Sequence, residues 1–181
     1  MPEGRQRRAN AAVTTFAESF LAETAAIVAK LDRSAIERLA AALAELRDGG
    51  GRLFVLGVGG SASYALHLAA DVRNICQIEA YTPVDNVSEL TARINDEGWE
   101  TSFANWLRAS RLGESDGLLI LSVGGGDREK NVSVNLVKAI ELAKQVGARV
   151  FGIVGRDGGF TAASRFSPAP GPQGHQVGIG E

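Results

Sequence analysis

Hydrophobic positions change rhythm along this chain, and the changes mark its elements. From Ala11 to Lys30 apolar residues recur at helical spacing (Val13, Phe16, Phe20, Leu21, Ala25, Ile27, Val28), with Leu31 just beyond. A second helical pattern, Ile36, Leu39, Leu43 and Leu46, predicts a helix over about 35–47, with Asp32 and Ser34 as candidate N-caps and Asp48-Gly-Gly-Gly as its stop. Leu53 to Leu56 is a short continuous apolar run of the kind a strand buried on both faces requires. Glycines follow at 57, 59 and 60, and Ser61 opens a further helix. Val72 to Ala80 continues that helix or leaves it. Tyr81-Thr-Pro-Val-Asp-Asn reads as a loop, because Pro83 has no N–H and Asp and Asn favour turns.

The rest of the chain repeats the motif. Val87–Ile94 reads as a short helix, Asn95-Asp-Glu-Gly-Trp as a polar turn, and Glu100–Leu112 as another helix. A second apolar strand, Asp116–Ser122, runs into Gly124, Gly125 and Gly126, and a helix over Val134–Val146 stops at Gly147. A third strand, Arg149 to Gly155, runs into Asp157-Gly-Gly. Strand, glycine turn and helix in alternation predict an α/β fold, a parallel sheet with helices on both faces. In such sheets ligands bind beyond the carboxyl ends of the strands, where all three glycine turns fall. The two leading helices carry broad apolar faces, suited either to cover the sheet or to form an interface between copies. From Ser164 the pattern is lost. Three of the five prolines fall between Pro168 and Pro172, and the tail over 164–181 is expected to be disordered or non-native, leaving residues 1–163 as the domain. Met1–Asn10 is polar and basic and reads as a frayed start.

Composition narrows the partners. The chain has 181 residues, 45% hydrophobic and 22% charged, enough for one domain with a real core. A net charge of −2 gives no electrostatic argument for nucleic acid or a membrane surface. No apolar run approaches the length of a membrane span, and no leader pattern opens the chain, so a cytoplasmic location is expected. The single cysteine, Cys76, rules out an internal disulfide framework and reads as a packed thiol.

Chemistry concentrates around the first glycine turn. A strand, a Gly-rich turn and a helix N-terminus together form an anion site, because glycines admit close approach and the first helical N–H groups point outward with the dipole behind them. A second such turn after Ser122 could clasp the same phosphate. The dinucleotide fingerprint and the P-loop lysine are both absent. His67 and Asp71, four residues apart, share one helix face behind the first turn and suit a metal or acid–base role. Tyr64 and Ser63 lie nearby, as core or as rim.

These residues resemble a known family. Gly57-x-Gly-Gly-Ser61 followed by His67 and Asp71 is similar to the sugar isomerase (SIS) domain, and within it to the phosphoheptose isomerases. Those enzymes interconvert sedoheptulose 7-phosphate and glycero-manno-heptose 7-phosphate for the lipopolysaccharide core. The likeness runs from about Phe16 to Phe160 and includes Asp85-Asn-Val-Ser-Glu-Leu, Asn95-Asp-Glu-Gly-Trp, the strand ending at Ser122, Val137-Lys-Ala-Ile and Gly155-Arg-Asp-Gly-Gly. It implies a flavodoxin-like SIS fold, a homotetramer with active sites at subunit contacts, and often zinc. It implies a phosphate held by Gly59, Gly60, Ser61, Ser122, Gly124 and Gly125, with Ser133 joining them if the intervening loop is an insertion. It places Asp96 near the sugar and makes His67 a metal ligand. Asp71 stands where the family has a glutamate that is both ligand and catalytic base.

The departures from the family pattern are specific. Val58 replaces an asparagine of the first turn, and the second loop, Ser122-Val-Gly-Gly-Gly-Asp-Arg-Glu-Lys-Asn-Val-Ser133, is longer and poorer in hydroxyls, which shifts the work to backbone N–H groups, Arg128 or Lys130. The family's last strand and C-terminal helix, with a Gln and a His, have no match, and His175 has no helical context. The implied reaction is an aldose–ketose isomerisation through an enediolate, with Asp71 as base. With only His67 and Asp71 placed as ligands, little activity is expected, and the third strand's Val150, Phe151, Ile153 and Val154 are expected to face solvent or a neighbour. A non-catalytic SIS protein that binds a sugar phosphate or a protein partner is the alternative.

Overall fold

A computed structural model describes residues 14–164 and 176–178. The chain divides into two units, Met1–Lys30 and Leu31–Glu181. The first contains helix α1, Phe16–Lys30. Its start is set by a capping box: the Glu18 N–H donates to Thr15 Oγ1 at 3.3 Å while the Thr15 N–H donates to Glu18 Oε2 at 2.8 Å. The Glu18 carboxyl is held below its ordinary range, chiefly by the backbone hydrogen bond from Thr15. None of its residues is buried. The expected start at Ala11 lies outside the described residues.

The second unit is built on a parallel sheet. Its helices and strands are α2 (Arg33–Asp48), β1 (Leu53–Gly57), α3 (Gly60–Asn74), β2 (Ala80–Tyr81), α4 (Val87–Glu97), α5 (Ser102–Ala109), β3 (Gly117–Ser122), α6 (Val134–Val146), β4 (Arg149–Val154), α7 (Gly159–Ala163) and β5 (Gln176–Gly178). The sheet order is β2-β1-β3-β4-β5, every pair parallel. Of the two candidate caps, Asp32 starts α2, accepting from the Ala35 N–H at 3.1 Å.

Alternation along the strands sorts the core into two layers. Phe54, Leu56, Leu118, Ile120 and Val150 pack with α5 and α6. Leu53, Val55, Leu119, Leu121 and Phe151 pack with α2 and α3. A parallel sheet buried on both faces is therefore the fold, as the uninterrupted apolar runs require. The far end of the sheet is pinned by Asp116, nearly buried, whose carboxylate accepts from the Arg52 backbone N–H and from its guanidinium, Nη2 at 2.7 Å.

Several expectations are corrected. Val150, Phe151 and Val154 are buried, and of the four side chains expected to be bare only Ile153 is exposed. Phe151 packs in the layer of α2 and α3, and Val150 in that of α5 and α6. Cys76 is exposed, not packed. Helix α4 runs through Asn95 and Asp96 to Glu97 before Gly98, at φ +83°, ends it, so the polar turn begins later than its composition suggests. Strand β2 lies where helix or loop was expected, and α7 follows the third glycine turn. Within the tail, Gln176–Gly178 pairs with β4, so those three residues are strand rather than disordered; positions 165–175 and 179–181 lie outside the described residues.

Candidate active site at the carboxyl edge of the sheet

Parallel strands bring the loops after β1, β3 and β4 to one edge. The first turn is tight. A Cβ on Gly57 would lie 2.3 Å from the Ser61 carbonyl oxygen, so only glycine lets β1 hand over to α3 this closely. Gly59, at φ +61°, sits at the N-cap of α3, and no side chain caps that end. Gly59 and Gly60 are exposed with open space where a Cβ would be. The geometry suits an anion at the start of a fifteen-residue helix.

The second and third turns lock together. A Cβ on Gly125 would lie 1.8 Å from the Gly158 carbonyl oxygen, and one on Gly159 would lie 2.2 Å from that of Gly124. The Thr161 hydroxyl donates to the Gly125 carbonyl at 2.7 Å, and the Phe160 N–H to that of Gly126 at 2.8 Å. The Gly125 N–H donates to Ser122 Oγ at 3.0 Å. Part of the glycine content expected to cradle a phosphate therefore serves the contact between two loops.

A cavity of about 560 Å³ opens on this edge. Ser61, His67 and Asp71 line it from α3, and Ser122 lines it from the end of β3. Tyr64, Leu68, Leu121, Val123, Ile153 and Val154 supply an apolar wall, and Gly155 completes the lining. His67 Nε2 lies 3.3 Å from Asp71 Oδ2, both side chains open to solvent. The sequence residues Ser61, His67, Asp71 and Ser122 thus converge in space. Gly59, Gly60, Gly124, Gly125, Ser133 and Asp96 do not line this cavity. Ser133 takes a left-handed conformation (φ +48°) at the start of α6. Asp96 lies exposed on α4, where its carboxylate accepts from Asn95 Nδ2 at 2.8 Å.

The loop cations are engaged elsewhere. Arg128 pairs with Glu141 and lies over the Phe160 ring. Lys130 pairs with Asp127 at 3.1 Å across a short hairpin bridged by Asp127 and Val132. The backbone hydrogen bond from Lys130 holds the Asp127 carboxyl below its ordinary range, and the Asp127 side chain raises Lys130. Thr161 escaped the sequence reading because its partner lies 36 positions away. Tyr64 had a signal: it sits three residues after Ser61 and three before His67, on one helix face.

His67 and Asp71 do not by themselves fit zinc. A catalytic zinc site takes three protein ligands and a water, and no group of three His, Cys, Asp or Glu residues that could hold a metal occurs among the described residues.

Comparison with known proteins agrees with this architecture. The family described as SIS domain matches residues 15–155. The phosphoheptose isomerase of Helicobacter pylori strain P12 is 36% identical over 123 residues, covering 65% of this chain and 60% of that protein. The phosphoheptose isomerase of Helicobacter pylori strain ATCC 700392 / 26695 is 33% identical over 149 residues, covering 78% of this chain and 74% of that protein. A solved phosphoheptose isomerase from Neisseria gonorrhoeae superposes with a TM-score of 0.70 at 26% identity, covering 92% of this chain and 87% of that one. The chain belongs to the SIS-domain family, among relatives of the phosphoheptose isomerase type.

Proposed function

We propose that the chain is a sugar-phosphate aldose–ketose isomerase, acting on sedoheptulose 7-phosphate. The observation that carries this reading is the convergence of Ser61, Ser122, His67 and Asp71 on one cavity at the carboxyl edge. The Gly59–Ser61 turn and Ser122 take the phosphate. Asp71 removes a proton from the hydroxyl-bearing carbon beside the carbonyl and returns it to the former carbonyl carbon, while the proton of that hydroxyl passes to the former carbonyl oxygen. His67, at the same end of the cavity, faces the oxyanion that develops between these steps.

Spacing along α3 supports a long substrate. Ser61 and His67 are six residues apart and Ser61 and Asp71 ten, which is about 9 Å and about 15 Å along the axis, with side chains leaning back toward the N-terminus. An extended seven-carbon sugar phosphate measures on the order of 10 Å from its carbonyl end to phosphorus, and a triose phosphate roughly half that. The names of the relatives, phosphoheptose isomerases, point to a heptose phosphate. Zinc on His67 and Asp71 would need a third ligand from outside the described residues or from a second copy.

The reading includes a homo-oligomer, a tetramer as the family resemblance implies, with α1 as its contact, and a cytoplasmic location. It is supported by the exposed apolar side chains of α1. No described helix is long and apolar enough to cross a membrane. A second reading, sugar-phosphate binding without turnover, is favoured by one observation: no third metal-binding group stands beside His67 and Asp71 among the described residues.

The test is turnover of sedoheptulose 7-phosphate in deuterated water, followed by NMR. Deuterium entering the carbon next to the carbonyl, together with aldose formation, is the expected result. Calorimetric binding with neither exchange nor turnover would establish the second reading instead.

A further inference from the structure

We propose that Tyr64 is a substrate-contacting, specificity-determining residue whose ring carries the carbon chain of a phosphorylated sugar between the anion turn and the His67–Asp71 pair. This deepens the sugar-phosphate reading above and rests on it. Tyr64 lines the cavity, yet 74% of it is exposed. Among the described residues its side chain makes no hydrogen bond or ring contact. A large aromatic side chain left bare on the wall of a cavity offers its face to whatever the cavity binds.

Its position says which partner. Tyr64 stands one helical turn beyond Ser61 and one turn before His67 and Leu68, so it faces the middle of whatever spans the two. Each step is about 4.5 Å along the axis. The neighbouring wall is also apolar and open: Val123 is 64% exposed and Ile153 36%. The serines, His67 and Asp71 can serve the phosphate and the reacting carbons, but the middle of the cavity offers few polar groups. A sugar chain fits this arrangement because it presents C–H groups on one side and hydroxyls on the other. With its C–H side on Tyr64, its hydroxyls turn to water and its phosphate stays at Ser61. A tyrosine ring suits the task, since it offers a broad rigid face at the cost of two rotatable bonds. Inorganic phosphate fills the anion turn without reaching the ring.

Calorimetric titration of the full chain with sedoheptulose 7-phosphate and, separately, with inorganic phosphate tests this, using Tyr64→Ala and Tyr64→Phe beside the unaltered protein. The expected result is an affinity for the sugar phosphate weakened about tenfold in Tyr64→Ala, the size of an aromatic contact. Inorganic phosphate should bind unchanged, and Tyr64→Phe should restore sugar binding. An exposed side chain leaves no cavity when truncated, so melting should not move. Equal affinity of Tyr64→Ala for the sugar phosphate overturns the proposal. So does an equal loss for both ligands, which marks a damaged anion site, or a changed sedimentation coefficient, which marks an interface residue. If the unaltered protein binds the sugar phosphate no more tightly than inorganic phosphate, the functional reading falls and Tyr64 with it. If it turns the sugar over and Tyr64→Ala does so with the same KM, only the role of Tyr64 falls.

Discussion

The Thr161 hydroxyl and the Gly125 carbonyl, 36 residues apart in sequence, meet in a buried hydrogen bond of 2.7 Å. The Thr161 backbone N–H donates to the same oxygen at 3.0 Å. Together they fix the loop after β3 against α7, and so place Ser122 in the cavity. Thr161→Val keeps the shape and removes the hydroxyl, and it should cost about 1 kcal/mol in denaturant unfolding, since the backbone donor remains. Gly125→Ala should cost more, on the order of 2–4 kcal/mol, because the turn needs a positive φ and the added Cβ would collide with the Gly158 carbonyl. Equal stability of the two variants would show that the loops are not held by this contact.

The legible part of this fold follows from burial. Leu53–Leu56, Leu118–Leu121 and Val150–Phe151 are apolar runs because parallel strands between two helical layers have no polar side. Each of the three strands leads into a glycine-containing turn toward a helix, at Gly57–Gly60, Gly124–Gly126 and Gly155–Gly159. The two residues of β2 and the three of β5 are too short to show a period. Thr161 could not be read because no local pattern encodes a partner in another loop. The anion turn and the His67–Asp71 pair were legible because all of them lie on α3, where spacing alone fixes a face. The apolar wall was not, because Val123 and Ile153 come from a loop and a strand that reach α3 only through the sheet.

Asp71 is expected to carry the proton. Asp71→Asn should lower kcat by about 10²–10⁴, with KM changed little, since the phosphate end is untouched. Asp71→Glu restores a carboxylate on a longer stem and should recover part of that loss. Steady-state kinetics at saturating sedoheptulose 7-phosphate reads both. An Asp71→Asn variant with the kcat of the unaltered protein would move the base elsewhere.

Ser61→Asp places a carboxylate at the anion turn. Repulsion of a phosphate dianion a few ångströms away should weaken sugar-phosphate binding by on the order of tenfold or more, less so at high salt. Titration at two ionic strengths measures it. Unchanged affinity would remove the phosphate from this turn.

The Asp127–Lys130 hairpin should loosen in acid. Asp127 has a depressed carboxyl in the folded chain, held chiefly by the Lys130 N–H, so its contribution is present above the ordinary carboxylate value and is lost as pH falls through the lowered one. The amide resonance of Lys130 should therefore titrate below the usual aspartate range, and Asp127→Asn should abolish that titration. The hairpin is exposed, so the melting temperature of the whole domain should scarcely respond.

Assembly is expected to run through α1. Phe16, Phe20 and Ile27 follow one another at spacings of four and seven, with Leu21 and Val28 seven apart beside them, which makes one apolar stripe on a helix with no buried residue. Phe16 is 85% exposed and Leu21 65%. Burying such side chains between copies contributes roughly 1.5–3 kcal/mol each, against an association cost on the order of 4–15 kcal/mol. With five residues per copy the balance favours an oligomer, and replacing two of them with glutamates, whose charge must then be desolvated at the contact, works against it. Sedimentation of the unaltered chain at micromolar concentration should show a species larger than the monomer. Phe20→Glu with Ile27→Glu should shift it to the monomer while the near-ultraviolet signal of Trp106, held in the second unit against Phe54, stays the same. A clean monomer of the unaltered chain at that concentration would refute the assembly. An oligomer that survives both glutamates would place its contact on the second unit instead.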